Sequence, residues 1–332
     1  MSDAPASERI ATVLGDAYGM RAFRVGDAPR GFVAETFVAD VADGRRVFVK
    51  WLPAWVDAER AAAMHVGLAI AARLNELGIA AAPPLRTTDG ALWTALDGRT
   101  LAVFPFIEGA RGAVLDQRMG PAALNHGFDP LIALLAEIHA ATPALDSAPP
   151  REAFALPFAA DFERAWRATF ETPVASDSHG AMQTLLAPHK AQIEVDWAGL
   201  RRMAAACRAA AWTPVITHGD LAGDNVIVGA DGRLWAIDWD YPLLAPVERD
   251  AWFFTCNTEA EAAFLEAYRR AQPGYAVDPL VRRFYLFQRF FEDIYGYIDI
   301  VLGNERPERK AWSVAELEKT CFQWLWPPMR SL

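Results

Sequence analysis

Residues 214–238, PVITHGDLAGDNVIVGADGRLWAID, set short β-branched runs between polar loops, inside a stretch whose flanks on both sides are patterned for helix. VIVG and RLWAID are joined by Ala-Asp-Gly, and Asp-Gly tolerates the positive backbone angles of a tight turn, so these runs predict a β-hairpin. A hairpin embedded in an Ala/Leu-rich helical half excludes a plain helical bundle. It requires an α+β chain.

The first third differs from the rest. Residues 7–18 predict a short amphipathic helix, and FVAETFVADVADGRRVFVKWLP alternates about Asp43-Gly44 as a second hairpin. A helix is expected from Asp57 to Leu77, ended by Gly78 and blocked by Pro83 and Pro84. Two further strands fit ALWTALDG and TLAVFPFI. From about 120 to 215 the pattern is helical, and helical zones recur near 247–271, 278–302 and 313–325. GARGA, residues 109–113, sits at this shift and divides an expected first lobe, 1–108, from a second, 109–332.

Composition limits the function classes. With 332 residues, 53% hydrophobic, 22% charged and 12 Trp, the chain has ample material for a core and is not a disordered one. A formal charge of −10 and no Lys/Arg block argue against nucleic acid as a partner. An acidic surface favours cationic small molecules, although solubility alone also explains it. Cys207, Cys256 and Cys321 lack metal-ligand or disulfide-motif spacing and read as reduced thiols. No leader or membrane-spanning run is evident, so a cytoplasmic protein with no membrane partner is expected.

The chemistry concentrates in the embedded hairpin. Asp220 and Asn225 lie five positions apart in its entry loop, and Asp238 ends the returning strand, so the three side chains should converge. Asn225 and Asp238 offer the hard oxygen donors that suit Mg²⁺, a cation that keeps several waters and is completed by phosphates. Asp220, off the metal, can accept or orient a hydroxyl proton. The plain alternative is that Asp, Asn and Gly merely cap loops, yet both motifs and their hairpin occur together.

HGD with Asn five residues on, followed by IDWD, resembles the aminoglycoside phosphotransferase family and its choline kinase-like members, relatives of protein kinases. The run IDWDxPxLAPxERD is similar to the spectinomycin phosphotransferases in particular. This resemblance implies a two-lobed protein-kinase-like fold, with a small antiparallel sheet and one helix in the first lobe and a mainly helical second lobe. It implies ATP and Mg²⁺ as cofactors, with Asp220 the catalytic base and Asn225 and Asp238 the metal ligands. Lys50, at the end of RRVFVK, corresponds to the lysine that contacts the α- and β-phosphates. LAVFPFIEG corresponds to the connector beside adenine, giving Phe104, Phe106 and Ile107, and the loop over the phosphates falls near Gly26 and Gly31. That loop is poor in glycine. The family's helix glutamate is also displaced: either Glu59 reaches Lys50 or the pair is altered, since counting along the helix places His65 or Gly67 there.

Other residues carry two readings. His218 is expected to pack and support the loop rather than move a proton, and Asp250 in ERD to support it as a helix opens. Glu292, Tyr295 and Asp299 share a helix face, with Asp293 beside them. With Asp240 and Tyr241 they form an acidic acceptor pocket for a cationic aminocyclitol, or else a solvated surface. Asp240 is either structural or the first residue of that pocket. The function expected is transfer of phosphate from ATP to a hydroxyl of an aminoglycoside or aminocyclitol antibiotic such as spectinomycin, by a monomer or homodimer. Choline, homoserine or methylthio-sugar kinases and an inactive nucleotide-binding regulator are the alternatives.

Overall fold

The computed structural model describes residues 5–28, 34–111, 128–146, 149–221, 225–255 and 258–331. By packing it divides into two compact units, Met1–Arg151 with Val215–Leu244, and Glu152–Pro214 with Ala245–Leu332. No helix among the described residues is long and apolar enough to cross a membrane.

The first unit is built on an antiparallel sheet of strands β1 (Ala22–Asp27), β2 (Glu35–Val41), β3 (Arg46–Trp51), β4 (Thr94–Leu96) and β5 (Arg99–Pro105), in the order β1-β2-β3-β5-β4. The alternation of β3 decides what each face carries. Val47, Val49 and Trp51 join Ile10, Leu14 and Tyr18 of helix α1 (Ala6–Tyr18) in one buried cluster. Fully burying such aliphatic side chains contributes roughly 1.5–3 kcal/mol each. On the opposite face Leu52 and Ala102 meet Met64 and Leu68 of helix α2 (Ala58–Glu76). Lys50 therefore belongs, by period two, to the α2 side.

Both Asp-Gly turns expected in this part form, with Gly44 at φ 87° and Asp97 and Gly98 at 54° and 73°. Asp57 caps α2 by accepting from the Arg60 amide at 2.8 Å. After α2, Gly78 at φ 85° turns the chain. Ala80 and Ala82 then bond to Ala236 at 2.8 and 2.9 Å.

GARGA does not begin as an open hinge. Its residues Gly109–Arg111 form strand β6, which pairs with β8 (Val226–Gly229), and β8 pairs with β9 (Leu234–Ala236). The Asp231 carboxylate accepts from Arg233 N at 3.0 Å in the tight turn between β8 and β9. The preceding run differs from expectation: β7 (Val215–Thr217) pairs with β10 (Leu243–Ala245) in a separate two-stranded sheet. A three-residue strand shows too little periodicity for sequence to assign its partner. Helix α3 (Asp129–Ala140) covers β7 and β9 with a buried face that includes Leu131, Leu135 and Ile138.

The second unit is helical: α4 (Ala159–Glu171), α5 (Asp177–Leu186), α6 (Lys190–Ala209), α7 (Glu248–Ala251), α8 (Thr258–Tyr268), α9 (Pro279–Leu302) and α10 (Pro307–Glu316). The last helical zone continues in π form over Leu317–Leu325 and ends as α11 (Trp326–Ser331). Helix α9 is the hub, burying Phe284, Phe287, Phe291, Ile294 and Ile298. Phe162, Trp197 and Phe291 pack as a ring triad with centroids 4.6–5.2 Å apart. Cys207 and Cys321 are free and buried in this unit, whereas Cys256 lies outside the described residues.

Candidate active site

The hairpin β8–β9 aligns the ends of its strands, since Val226 opposes Ala236 and the Ile237 amide donates to the Asn225 carbonyl at 3.0 Å. Asn225 therefore stands beside the segment that carries Asp238. Across the loop, the Asn225 amide donates to the Asp220 backbone carbonyl at 2.9 Å and to its Oδ2 at 2.8 Å. Asp220 and Asn225 are thus one hydrogen-bonded pair, with the Asp220 side chain exposed to solvent. Because both contacts use Nδ2, Oδ1 is the Asn225 atom left as an acceptor.

His218 is buried and ties the loop after β7 to the segment after β9. Its Nε2 donates to the Ile237 carbonyl at 2.8 Å, and its Nδ1 accepts from the Asp220 amide at 3.4 Å. The Trp239 ring lies edge-on to it, 4.7 Å between centroids.

Lys50 projects from β3 toward the residues after β9. Only 8% of Lys50 is exposed. Its Nζ donates to both carboxylate oxygens of Asp240 at 2.7 Å, and also contacts Oδ1 of Asp238. Asp238 adopts φ 68°, a left-handed conformation that a non-glycine residue takes only when its surroundings enforce it. That bend lets two residues separated by Trp239 face the same lysine.

Burial works against charge on Lys50, but the Asp240 and Asp238 carboxylates outweigh it and hold its pKa above the ordinary lysine value. The two acids separate in consequence. Burial opposes ionisation of Asp238, yet Lys50 keeps its pKa below the usual range. Burial pushes that of Asp240 up, and the neighbouring Asp238 charge adds to this.

Glu59, the expected helix partner, does not reach this lysine. It is exposed in the first turn of α2, and the acceptors that Lys50 finds among the described residues are Asp238 and Asp240. The lysine pair is altered. About two turns further along α2, Gly67 faces the Trp239 carbonyl so closely that a Cβ would lie 1.6 Å from the oxygen. The sequence singled out position 67 as an anomaly in the helix, but only the fold shows that a backbone carbonyl fills the space. Asp240, read from sequence as either structural or the first residue of an acceptor pocket, turns to Lys50. Its two-residue spacing from Asp238 gave no signal of this, because the left-handed bend at Asp238, not extended backbone, brings both acids to one group.

The remaining expected residues are placed as follows. Phe104 is half-buried among the α2-side apolar residues, and Arg46 stacks on the Phe106 ring at 5.0 Å. The Phe106 amide donates to Arg46 at 3.2 Å, while Ile107 follows half-exposed. Gly31 and Asp224 lie outside the described residues. Tyr241 is 45% exposed beside Asp240 in sequence.

In the second unit, Asp250 is buried in the one-turn helix α7. On α9, Glu292 is half-buried and accepts from Gln288 at 2.9 Å, while Asp293 pairs with Arg289 at 3.0 Å. Tyr295 packs against the Phe158 ring and Asp299 is exposed. Burial pushes the Glu292 carboxyl above the usual range, although Gln288 opposes it.

Asn225 Oδ1 and the Asp238 carboxylate form a hard-oxygen donor set that fits Mg²⁺, which binds through one or two protein groups plus substrate phosphates. Asp238 is also the more open acid, 44% exposed at the side chain against 17% for Asp240.

The model of a family described as phosphotransferase enzyme family matches residues 27–280. Three solved structures are similar over nearly the whole chain. A spectinomycin phosphotransferase in complex with ADP and spectinomycin shares 18% identity, covering 96% of this chain and 95% of that one, with a TM-score of 0.74. A choline kinase from Streptococcus pneumoniae shares 14% over 96% and 99%, with a TM-score of 0.55. A macrolide 2'-phosphotransferase type I shares 16% over 96% and 99%, with a TM-score of 0.54. At such identities the likeness is one of fold: an antiparallel sheet followed by a mainly helical part. No curated protein matches the sequence.

Proposed function

Because this chain belongs to the phosphotransferase enzyme family, whose model spans residues 27–280, we propose that it transfers the γ-phosphoryl group of ATP to a hydroxyl of a small cationic acceptor. An aminoglycoside or aminocyclitol of the spectinomycin type is the first candidate. The observation that carries the reading is the Asp220–Asn225 pair at 2.8 Å, next to a hairpin end that also carries Asp238 in contact with Lys50.

In such transfer the protein chiefly positions groups and stabilises charge. Asp220, exposed and held by Asn225, accepts the proton of the acceptor hydroxyl as its oxygen bonds to the γ-phosphorus. The bond from that phosphorus to the β,γ-bridging oxygen breaks, and ADP leaves with the electron pair. Lys50 contacts the α- and β-phosphates. Asn225 and Asp238 hold Mg²⁺, which when bound neutralises phosphate charge. His218 keeps the loop in register through its two ring hydrogen bonds. Phe104, Phe106 and Ile107 flank the purine, and the amide of Ile107 serves it because that of Phe106 is already given to Arg46.

The division into lobes at 108/109 fits this scheme. Chain up to Pro105 pairs within the five-stranded sheet, and from Gly109 it pairs with the hairpin that carries Asn225. Nucleotide binding in the similar structures supports ATP as donor, since a spectinomycin phosphotransferase is complexed with ADP in one structure and with AMP in another. For the acceptor, Asp240, Tyr241, Glu292, Asp293, Tyr295 and Asp299 were proposed from sequence. Of these, Tyr241 and Asp299 remain the exposed ones, with Asp240 turned to Lys50 and Asp293 to Arg289.

The test is ATP consumption with spectinomycin, a set of aminoglycosides, and choline. An antibiotic acceptor should support turnover, and turnover with choline alone would assign the metabolic reading instead. Asp220→Ala should lower kcat by about 10²–10⁴-fold with Mg-ADP binding retained. Full turnover in that variant would remove Asp220 from the chemistry.

A further inference from the structure

We infer that Asp240 is the positioning residue for Lys50: its carboxylate, in place of one from helix α2, keeps the ammonium fixed while Asp238 serves the metal. The inference rests on the phosphotransferase reading. An ammonium group has three N–H donors. Here two go to the two oxygens of Asp240, and the third meets Oδ1 of Asp238. With Asp238 given to Mg²⁺, that third donor would be available to a phosphate oxygen. The other two still hold the lysine in place.

The two acids are not interchangeable. Asp240 is the less exposed, 17% against 44%, and engages Lys50 through both oxygens, whereas Asp238 engages it through one. A buried, bidentate partner is the one built to stay.

No acid on α2 competes for the role. Glu59 is exposed, and Glu76 pairs with Arg73 at 3.3 Å and Arg86 at 3.5 Å. His65 is held by Thr100 at 2.9 Å and stacked on Trp93 with 3.9 Å between ring centroids. What α2 gives instead is the bare backbone at Gly67, against which the Trp239 carbonyl seats. That seat fixes the residue between the two acids. The helix positions the lysine's partner without supplying it.

The experiment measures Mg-ADP affinity and thermal stability for wild type, Lys50→Met, Asp240→Asn and the double variant, and needs no acceptor. Asp240→Asn should weaken Mg-ADP binding about tenfold, as should Lys50→Met, with the double variant no weaker than Lys50→Met alone. The melting temperatures should likewise be non-additive. Unchanged or tighter ADP binding in Asp240→Asn, or losses that add in the double variant, would overturn the inference. A wild-type chain that binds no Mg-ADP would overturn the phosphotransferase reading and this inference together, so the two failures are told apart. Asp240→Ser is read in the same way if the amide variant does not fold.

Discussion

Two acidic clusters, one after β9 and one on α9, are alike in composition and opposite in construction. Asp238 and Asp240 find their cation 188 and 190 residues away, on another strand. Glu292 and Asp293 find their partners, Gln288 and Arg289, one helical turn away on the same helix. The first cluster exists only when the unit is folded, and the second is available to any stretch of helix. A carboxylate pair whose cation is brought by tertiary structure, and is buried when it arrives, bears on function. A pair that finds partners one helical turn away on its own helix carries no such signal, even with the Asp293 side chain only 15% exposed.

Breaking the long-range pair should have the largest effect on stability. Lys50→Met leaves Asp240 buried without its cation and should cost about 3 kcal/mol in urea unfolding. A cost under about 0.5 kcal/mol, the range of exposed pairs, would mean that the cluster is no different from the one on α9.

The seat of that cluster comes next. Gly67→Ala gains about 1 kcal/mol of helix propensity, yet its Cβ would lie 1.6 Å from the Trp239 oxygen. A net loss of about 2 kcal/mol is expected from the forced shift. Equal or raised stability would show that the helix can move away, and that the seat does not fix Asp238 and Asp240.

On α9 the effects should be small. Arg289→Gln removes an i,i+4 pair that is 37% exposed on the arginine side and should cost at most about 0.5 kcal/mol. Glu292→Gln should be visible only as a pH dependence. The pKa of Glu292 is raised in the folded chain, so its contribution to stability is present below the unfolded carboxylate pKa and is lost as pH rises through the folded value. Wild type should therefore lose stability relative to Glu292→Gln across that acidic window and stay parallel to it above. A difference that is constant from below the unfolded pKa to neutral pH would assign Glu292 no role in it.

Much of this contrast was legible in the sequence, in a specific way. The Asp-Gly turns, the helix starting at Asp57 and the hairpin at 226–236 depend on neighbours within a few residues, and each formed where it was expected. The spacing of Asp220 and Asn225 was enough to foresee their meeting, because a short loop can bring them together only in a few ways. The partner of β7 was not legible, since β10 has three residues and lies 26 positions on. Nor was the partner of Lys50: the sequence left open whether Glu59 reaches it or the pair is altered, and Asp240 comes to the lysine only through the bend at Asp238, which no local pattern announces.

The sequence by itself determined the elements, the turns between them and the inventory of one lysine, one asparagine and several aspartates at kinase-like spacing. Those follow from local propensity and from periodicity, which act over one or two turns of chain. Only the tertiary structure decided that α2 approaches so closely that a glycine must face the Trp239 carbonyl, that Asp238 bends into a left-handed conformation, and that Asp240 turns to Lys50. The reason is physical: a buried ammonium must find its counter-charge wherever packing has brought one, and packing is a property of the whole unit.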